Sequence, residues 1–437
     1  MTKKITNTRS FINKPDSFGI EFISIVLALT LINSIATSQS RTRTLEDASQ
    51  EVRINKSPFN SFFPIMAWDY VGDEETIKKM ADCGINLIGF VPPRLLNVCE
   101  ENKVKGILYD PRITSDWDKP FNSKLPNQVL PVLIKQYNNN PALFGYHIKD
   151  EPDGDQFSEL AKSAALIKKL APEKWAYVNL PPGMGEWYDT AYLQNYINML
   201  HPPIVSFDNY PVGQTGFSWG FWSNLWDVRS ASLRNLLPFM VIVLSSAHLT
   251  YPIPTTADLR LQVYGALAYG ARGIAYYKFI SETLPVLGAP DLGNFRGGPL
   301  DEFHFKTPAY SEMRLINHCL ANLAPTLLKL HSDDVYFVGT VPKRNHGIDS
   351  KSLVSGMKSG NEFIIGDFTH EDGSRWVMIV NKDLKHSVPC IPQFRDSAAV
   401  VSVKYLNPVN GQLASFQRPW YYLAPGQGVL LFLDIKK

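Results

Sequence analysis

Leu143-Phe-Gly-Tyr-His-Ile-Lys-Asp150-Glu151-Pro152, followed by Asp153-Gly-Asp-Gln-Phe-Ser-Glu-Leu-Ala161, is the stretch that decides the fold. An apolar, aromatic run ends on two adjacent carboxylates, and Pro152 stops it because proline cannot donate to a sheet ladder. The Asp/Ser cluster that follows is suited to start a helix. Asp150 and Glu151 therefore lie at the carboxyl end of a strand in a strand–helix unit. Taken alone, the pair could equally favour a helix N-terminus by charge and hydrogen bonding.

Outward from this stretch the same unit repeats. Strands are expected at residues 63–69, 85–91, 104–109, 144–149, 175–180, 204–210, 239–245 and 273–279. Helices are expected at 74–83, 95–102, 129–137, 157–170, 222–237, 259–269 and 311–330. Eight strands alternating with helices predict an α/β fold, a (β/α)₈ barrel over residues 52–331. From residue 332 to 437 the pattern changes to short strands, at 335–341, 363–368, 376–380, 400–406, 420–423 and 429–433, separated by Gly, Asn, Asp and Pro. Asn410-Gly411 and Gly426-Gln-Gly428 read as hairpin-type turns, and the segment as an accessory β-sandwich.

Composition narrows the functions. The 437 residues are 45% hydrophobic with a formal net charge of +2, and Lys and Arg are scattered, which excludes an electrostatic case for nucleic acid or an anionic membrane surface. The basic leader Lys3, Lys4, Arg9 and Lys14, the apolar run 22–35 and small residues near Ala36 read as a signal peptide over 1–38. That run is shorter than the ~20 residues that span a bilayer, so no stable membrane span is expected after cleavage and the protein is expected to be exported. Cys83, Cys99, Cys319 and Cys390 are widely spaced, with no metal-ligand pattern, and are read as buried thiols; no metal or cofactor is expected.

The strand ends define what faces the barrel mouth. Trp68-Asp69, Asp150-Glu151, Asn179, Asp208-Asn209-Tyr210, Ser245-Ser246 with His248, and Tyr277-Lys278 close strands one, four, five, six, seven and eight. Two carboxyl groups flanking a glycosidic bond are the minimum equipment for its hydrolysis, and aromatic rings offer stacking faces for a sugar. Any one of these residues could instead cap a helix or hold a backbone amide.

The Glu-Pro at the end of strand four, the Ala- and Gly-rich segment 260–274 before strand eight and the closing run Ala424-Pro-Gly-Gln-Gly-Val-Leu-Leu resemble clan A glycoside hydrolases. The nearest look is to family 42 β-galactosidases and uncharacterised bacterial barrel proteins with a D-E-P motif. The resemblance implies that Glu151 is the general acid/base, although Asp150 stands where the clan has Asn. It also implies a nucleophilic Glu at the end of strand seven, where this chain reads Val243-Leu-Ser-Ser-Ala-His-Leu-Thr-Tyr251 with no carboxylate. Asp208, with Asp69 in reserve, is then the candidate second carboxylate, and Glu282 is nearest in sequence. Two strand steps of ~4.8 Å between strands four and six favour the wide carboxyl spacing of an inverting enzyme. Trp68, Asp69, Asp150, Asn179, Tyr210, Tyr277 and Lys278 are expected to bind a carbohydrate substrate. The expectation is an exported glycoside hydrolase; the alternative is a non-catalytic carbohydrate-binding protein on a decayed hydrolase barrel.

Overall fold

β-Branched and aromatic runs of four to eight residues form the eight strands of a parallel barrel: β1 (Ile65–Tyr70), β2 (Leu87–Val91), β3 (Lys105–Leu108), β4 (Leu143–Asp150), β5 (Trp175–Asn179), β6 (Val205–Asp208), β7 (Phe239–Leu244) and β8 (Ile274–Tyr277). The computed structural model describes residues 58–436 apart from 116–117, 284–288, 290, 292, 361, 397–398 and 418–419, so the expected signal segment at 1–38 lies outside the described residues. The sheet order is β5-β4-β3-β2-β1-β8-β7-β6, and a parallel bridge from Leu180 to Phe207 closes β5 onto β6.

Alternation along each strand sorts side chains between two cores. Inward residues Met66 and Trp68, Trp175 and Tyr177, Ile204, Met240 and Ile242, and Ala275 fill the barrel interior. Outward residues pack against α1 (Glu74–Asp82), α2 (Leu96–Glu101), α3 (Lys124–Tyr137), α4 (Phe157–Leu170), α5 (Gln194–Leu200), α6 (Gly220–Arg234), α7 (Thr256–Ala268) and α8 (Pro308–Leu327). The structure adds a helical stretch to the expected set at Trp187–Leu200: a π-helical segment, Trp187–Leu193, that runs directly into α5. Cys83, Cys99 and Cys390 are buried and none of the four cysteines is in a disulfide. Burial pushes the Cys83 and Cys99 thiols up to about 12.

After α8 the chain forms β9 (Leu330–Val338), β10 (Phe363–His370), β11 (Arg375–Asn381), β12 (Val400–Leu406) and β13 (Gly428–Ile435). With two short strands they make a seven-stranded sheet in the order His346–Gly347, β9, β10, β11, β13, β12, Leu413–Ser415. One face carries Phe363, Ile365, Val377, Ile379, Val429 and Leu431 toward two small ribbons, Val354–Met357 with Pro392–Phe394 and Val388–Pro389 with Tyr422–Leu423. The alternate residues Ile364, Phe368, Met378, Val380 and Leu430 join the barrel's own outer core. The sandwich is therefore unequal, one full sheet against two ribbons. Asn410-Gly411 turns between β12 and its partner, whereas Gly426 precedes β13 without forming a hairpin, because Tyr422–Leu423 pairs with Val388–Pro389.

Helix α7 lies between the two bodies, and its composition follows from that place. Thr255 and Asp258 form a reciprocal capping box at its start, and ten of its thirteen residues are buried. Its small residues permit close approach. A Cβ on Gly265 would meet the Trp222 ring at 2.7 Å, and one on Gly366 of β10 would meet the Ala268 carbonyl oxygen at 2.3 Å.

Asp367 marks a pH-sensitive point in this second body. Its side chain is 2% exposed; Oδ2 accepts the Leu353 N–H at 2.8 Å and Oδ1 has no partner. Burial pushes this carboxyl up to about 7. The fold therefore favours the neutral acid, and the associated stability, complete below ~4, is lost as pH rises through about 7. Asp367→Asn keeps an oxygen for Leu353 and removes the titration. In urea unfolding the variant should lose less stability than the parent between pH 5 and pH 8; equal losses would refute the assignment.

Candidate functional site

The carboxyl ends of β4, β5 and β6 bring Asp150, Glu151, Asn179 and Asp208 together. Asn179 is 1% exposed and sits between the carboxylates, its Nδ2 donating to Asp150 Oδ1 at 3.0 Å and to Asp208 Oδ1 at 2.8 Å. Glu151 is hydrogen-bonded to Asp208 through their side chains. Its backbone N–H still donates to the Asn179 carbonyl at 2.9 Å, while its φ of +43° is left-handed. Such a conformation costs a side-chain-bearing residue ~1–2 kcal/mol and is a form of strain common at functional sites.

The spacing differs from the expected one. Although Glu151 follows β4, two strand steps from β6, its carboxyl group touches that of Asp208. That contact is shorter than the ~6.5–9.5 Å at which an inverting pair accommodates its water. The wide arrangement expected from strands four and six is not found in this geometry.

Three acidic groups in contact cannot all be ionised. Burial, reinforced by the Glu151 charge, pushes Asp150 up to about 7. Burial first, then Glu151 and Asp150, holds Asp208 well above the usual carboxylate range. At neutral pH the cluster therefore retains at least one proton, which Asp208 donates to Glu151.

Glu151 is the member that reaches the outside. It lines a cleft of about 430 Å³ together with Lys119, Asp153 and Pro181. The far wall of that entrance, the segment after β5, is braced from a distance. Gly185 N–H donates to Asp227 Oδ2 at 2.8 Å, and Arg344, from the β-rich body, donates through Nε to Asp227 Oδ1 at 2.7 Å. Asp227, on α6, is fully buried.

Asp69, Lys278 and Trp68 have their polar atoms engaged within the protein. Asp69 is 7% exposed; Oδ2 accepts the N–H groups of Phe279 and Ile280 at 3.0 and 2.9 Å, and Oδ1 accepts that of Tyr70 at 2.8 Å. It anchors the loop after β8. Lys278 lies between Asp69, at 3.8 Å, and Glu282, with its ammonium over the Phe295 ring. Trp68 spends its indole N–H on Tyr177 Oη at 2.7 Å and packs edge-on against Phe90 and Tyr277. Tyr210 and Tyr277 stack at 5.5 Å and are the half-buried rings beside the carboxyl cluster. Both meet the edge of His248, whose other face stacks on Phe295 at 5.3 Å.

At the end of β7, Ser245 Oγ donates to the Lys278 carbonyl and Ser246 Oγ to the Arg296 carbonyl. Two contributors escaped the sequence reading, Tyr177 and Ser206. Each stands two residues before a strand-end residue of the site, Asn179 and Asp208, and the period of two along a strand was the available signal.

No protein-family model matches the sequence. No curated protein matches it. Among solved structures the chain is similar to a family 5 glycoside hydrolase from Bacteroides vulgatus, with a TM-score of 0.55 and 12% identity over 85% of this chain and 90% of that one. It is similar to a catalytic mutant of a family 42 β-galactosidase from G. stearothermophilus, with a TM-score of 0.51 and 9% identity over 85% and 98%. It also matches the β-galactosidase of the psychrophilic Marinomonas ef1, at a TM-score of 0.48 and 11% identity, over 60% of each chain. The chain thus spans about three fifths of that enzyme's length. The first two likenesses show the fold, a TIM barrel of the kind found in glycoside hydrolases, followed by a β-rich region.

Proposed function

We propose that the chain is a glycoside hydrolase cleaving a glycosidic bond in an oligo- or polysaccharide, with Glu151 donating the proton to the leaving oxygen and Asp208 as its partner carboxyl group. The observation that carries this is the side-chain hydrogen bond between Glu151, at the cleft, and Asp208, behind it. A leaving alkoxide needs an acid still protonated near neutral pH, and a developing oxocarbenium ion needs negative charge beside it. A carboxyl cluster that keeps a proton beside an ionised carboxylate supplies both. The proton leaves Asp208 along their hydrogen bond, Glu151 passes it to the leaving oxygen, and the ionised carboxyl groups left behind keep charge near the reacting carbon. Tyr210 and Tyr277 offer the apolar faces against which a pyranose ring would rest.

The test is a screen of the purified protein on aryl glycosides and on plant, algal and host polysaccharides. Release of sugar by the parent and its loss in Glu151→Gln supports the reading. One observation favours a second reading, a carbohydrate-binding protein on a hydrolase barrel: β7 ends in Ser245 and Ser246, both bonded to backbone carbonyls, with no carboxylate. A polysaccharide that binds the parent and is never cut would decide for it.

We also propose export through residues 1–38. Mature protein from the native host should begin shortly after Ala36 or Ser38. Recovery of Met1 or Thr2 by amino-terminal sequencing of cytoplasmic protein would refute export. Among the described residues no helix is long and apolar enough to cross a membrane.

A further inference from the structure

Beneath the carboxyl cluster, in the closed interior of the barrel, four side chains form a hydrogen-bonded series whose direction is set by chemistry. An indole N–H can only donate, so Tyr177 Oη accepts from Trp68 Nε1 at 2.7 Å. With that lone pair engaged, the phenolic hydrogen is free to point at Ser206 Oγ, 3.3 Å away. Ser206 in turn donates to Asn179 Oδ1 at 3.3 Å. An amide whose oxygen is held on that side must present its NH₂ on the other, where it meets Asp150 and Asp208 at 3.0 and 2.8 Å. Reversed, the same amide would aim an oxygen at two carboxyl groups.

We propose that Trp68 is a positioning residue whose indole N–H, relayed through Tyr177 and Ser206, fixes the orientation of the Asn179 amide and so delivers two N–H donors to Asp150 and Asp208. All four members are at most 9% exposed, so bulk water does not compete for these bonds. The consequence for turnover rests on the hydrolase reading; the relay itself does not. Trp68, expected from the sequence to bind sugar, acts instead from below.

The charged groups facing the two aspartates are Glu151 and Lys149, both from the end of β4. The tyrosines facing them are Tyr177 on β5, Tyr188 beyond it, Tyr210 after β6, Tyr251 after β7 and Tyr277 on β8, each held un-ionised by burial. The tyrosines therefore stay un-ionised where carboxyl groups titrate, and Glu151 and Lys149 are common to every variant.

The experiment is a pH titration of the protein labelled with ¹³C at the aspartate carboxyl carbons, followed by NMR without any substrate. Trp68→Phe keeps the ring and removes the N–H; Ser206→Ala breaks the series at its third member with a smaller change. Both should move the titration of the Asp150–Asp208 pair upward by about one pH unit, because donors to a carboxylate favour its charged form. Trp175→Phe is the control. It belongs to the same interior core, is 1% exposed, and its Nε1 has no partner, so its titration should match the parent's. Parent-like titration in both Trp68→Phe and Ser206→Ala, or an equal shift in Trp175→Phe, would overturn the proposal. Because no substrate is present, this result stands apart from the Glu151→Gln test of hydrolysis.

Discussion

Glu151→Gln should lower turnover on an authentic substrate at least ~10²-fold while leaving substrate binding nearly intact. Glutamine keeps the size and one acceptor oxygen of the side chain, so the left-handed backbone at 151 and its N–H bond to Asn179 need not change. What disappears is the carboxyl proton and the sharing with Asp208. Asp208 should then behave as a buried acid beside Asp150 alone, and the acid limb of any residual activity should move. Calorimetric binding of an uncut ligand separates the two effects. A variant that retains full activity would remove Glu151 from the chemistry and leave the cleft with no proton donor in this reading.

Gly366→Ala should produce a large loss of stability. The added methyl would lie 2.3 Å from the Ala268 carbonyl oxygen and 3.0 Å from its carbon. Both are backbone atoms of Ala268, at the end of α7, and Gly366 lies in the middle of a seven-stranded sheet, so neither side can yield by changing rotamer. Overpacking of this kind costs ~3 kcal/mol or more, on the order of 5–10 °C in Tm. Gly373→Ala provides the contrast: that glycine has φ +82° in a turn with nothing within 4 Å, so only left-handed strain of ~1 kcal/mol is added. Equal Tm losses in the two variants would show that the α7–β10 contact yields easily.

The barrel was legible because its strands are short, apolar and bounded by Gly, Pro and Asp, and a parallel strand buried on both faces has little freedom to look otherwise. The helical stretch Trp187–Leu200 was not. Its run of Trp, Tyr and Asp lacks a strong amphipathic period, and its first seven residues wind as a π-helix, for which no simple pattern exists. At the mouth, sequence placed Asp69, Asp150, Glu151 and Asp208 at strand ends alike. Only three dimensions distinguish Asp69, saturated by three backbone N–H groups, from Asp208, which meets another carboxyl group. The contact with Glu151 was illegible for a related reason. Glu151 is left-handed, and nothing in Asp-Glu-Pro announces that conformation.

The Arg344–Asp227–Gly185 link bears on how such chains can be recombined. Asp227 has no exposed surface, and Arg344, supplied by the β-rich body, is its charged hydrogen-bonding partner. A chimera that grafts a foreign appendage after α8 would strand that carboxylate in the interior without a counter-ion, a defect that typically costs ~3–5 kcal/mol. The entrance loop hanging from Gly185 would slacken with it. Barrel and appendage are therefore energetically coupled, and a transplant that respects only the domain boundary is expected to fail at the doorway rather than at the seam.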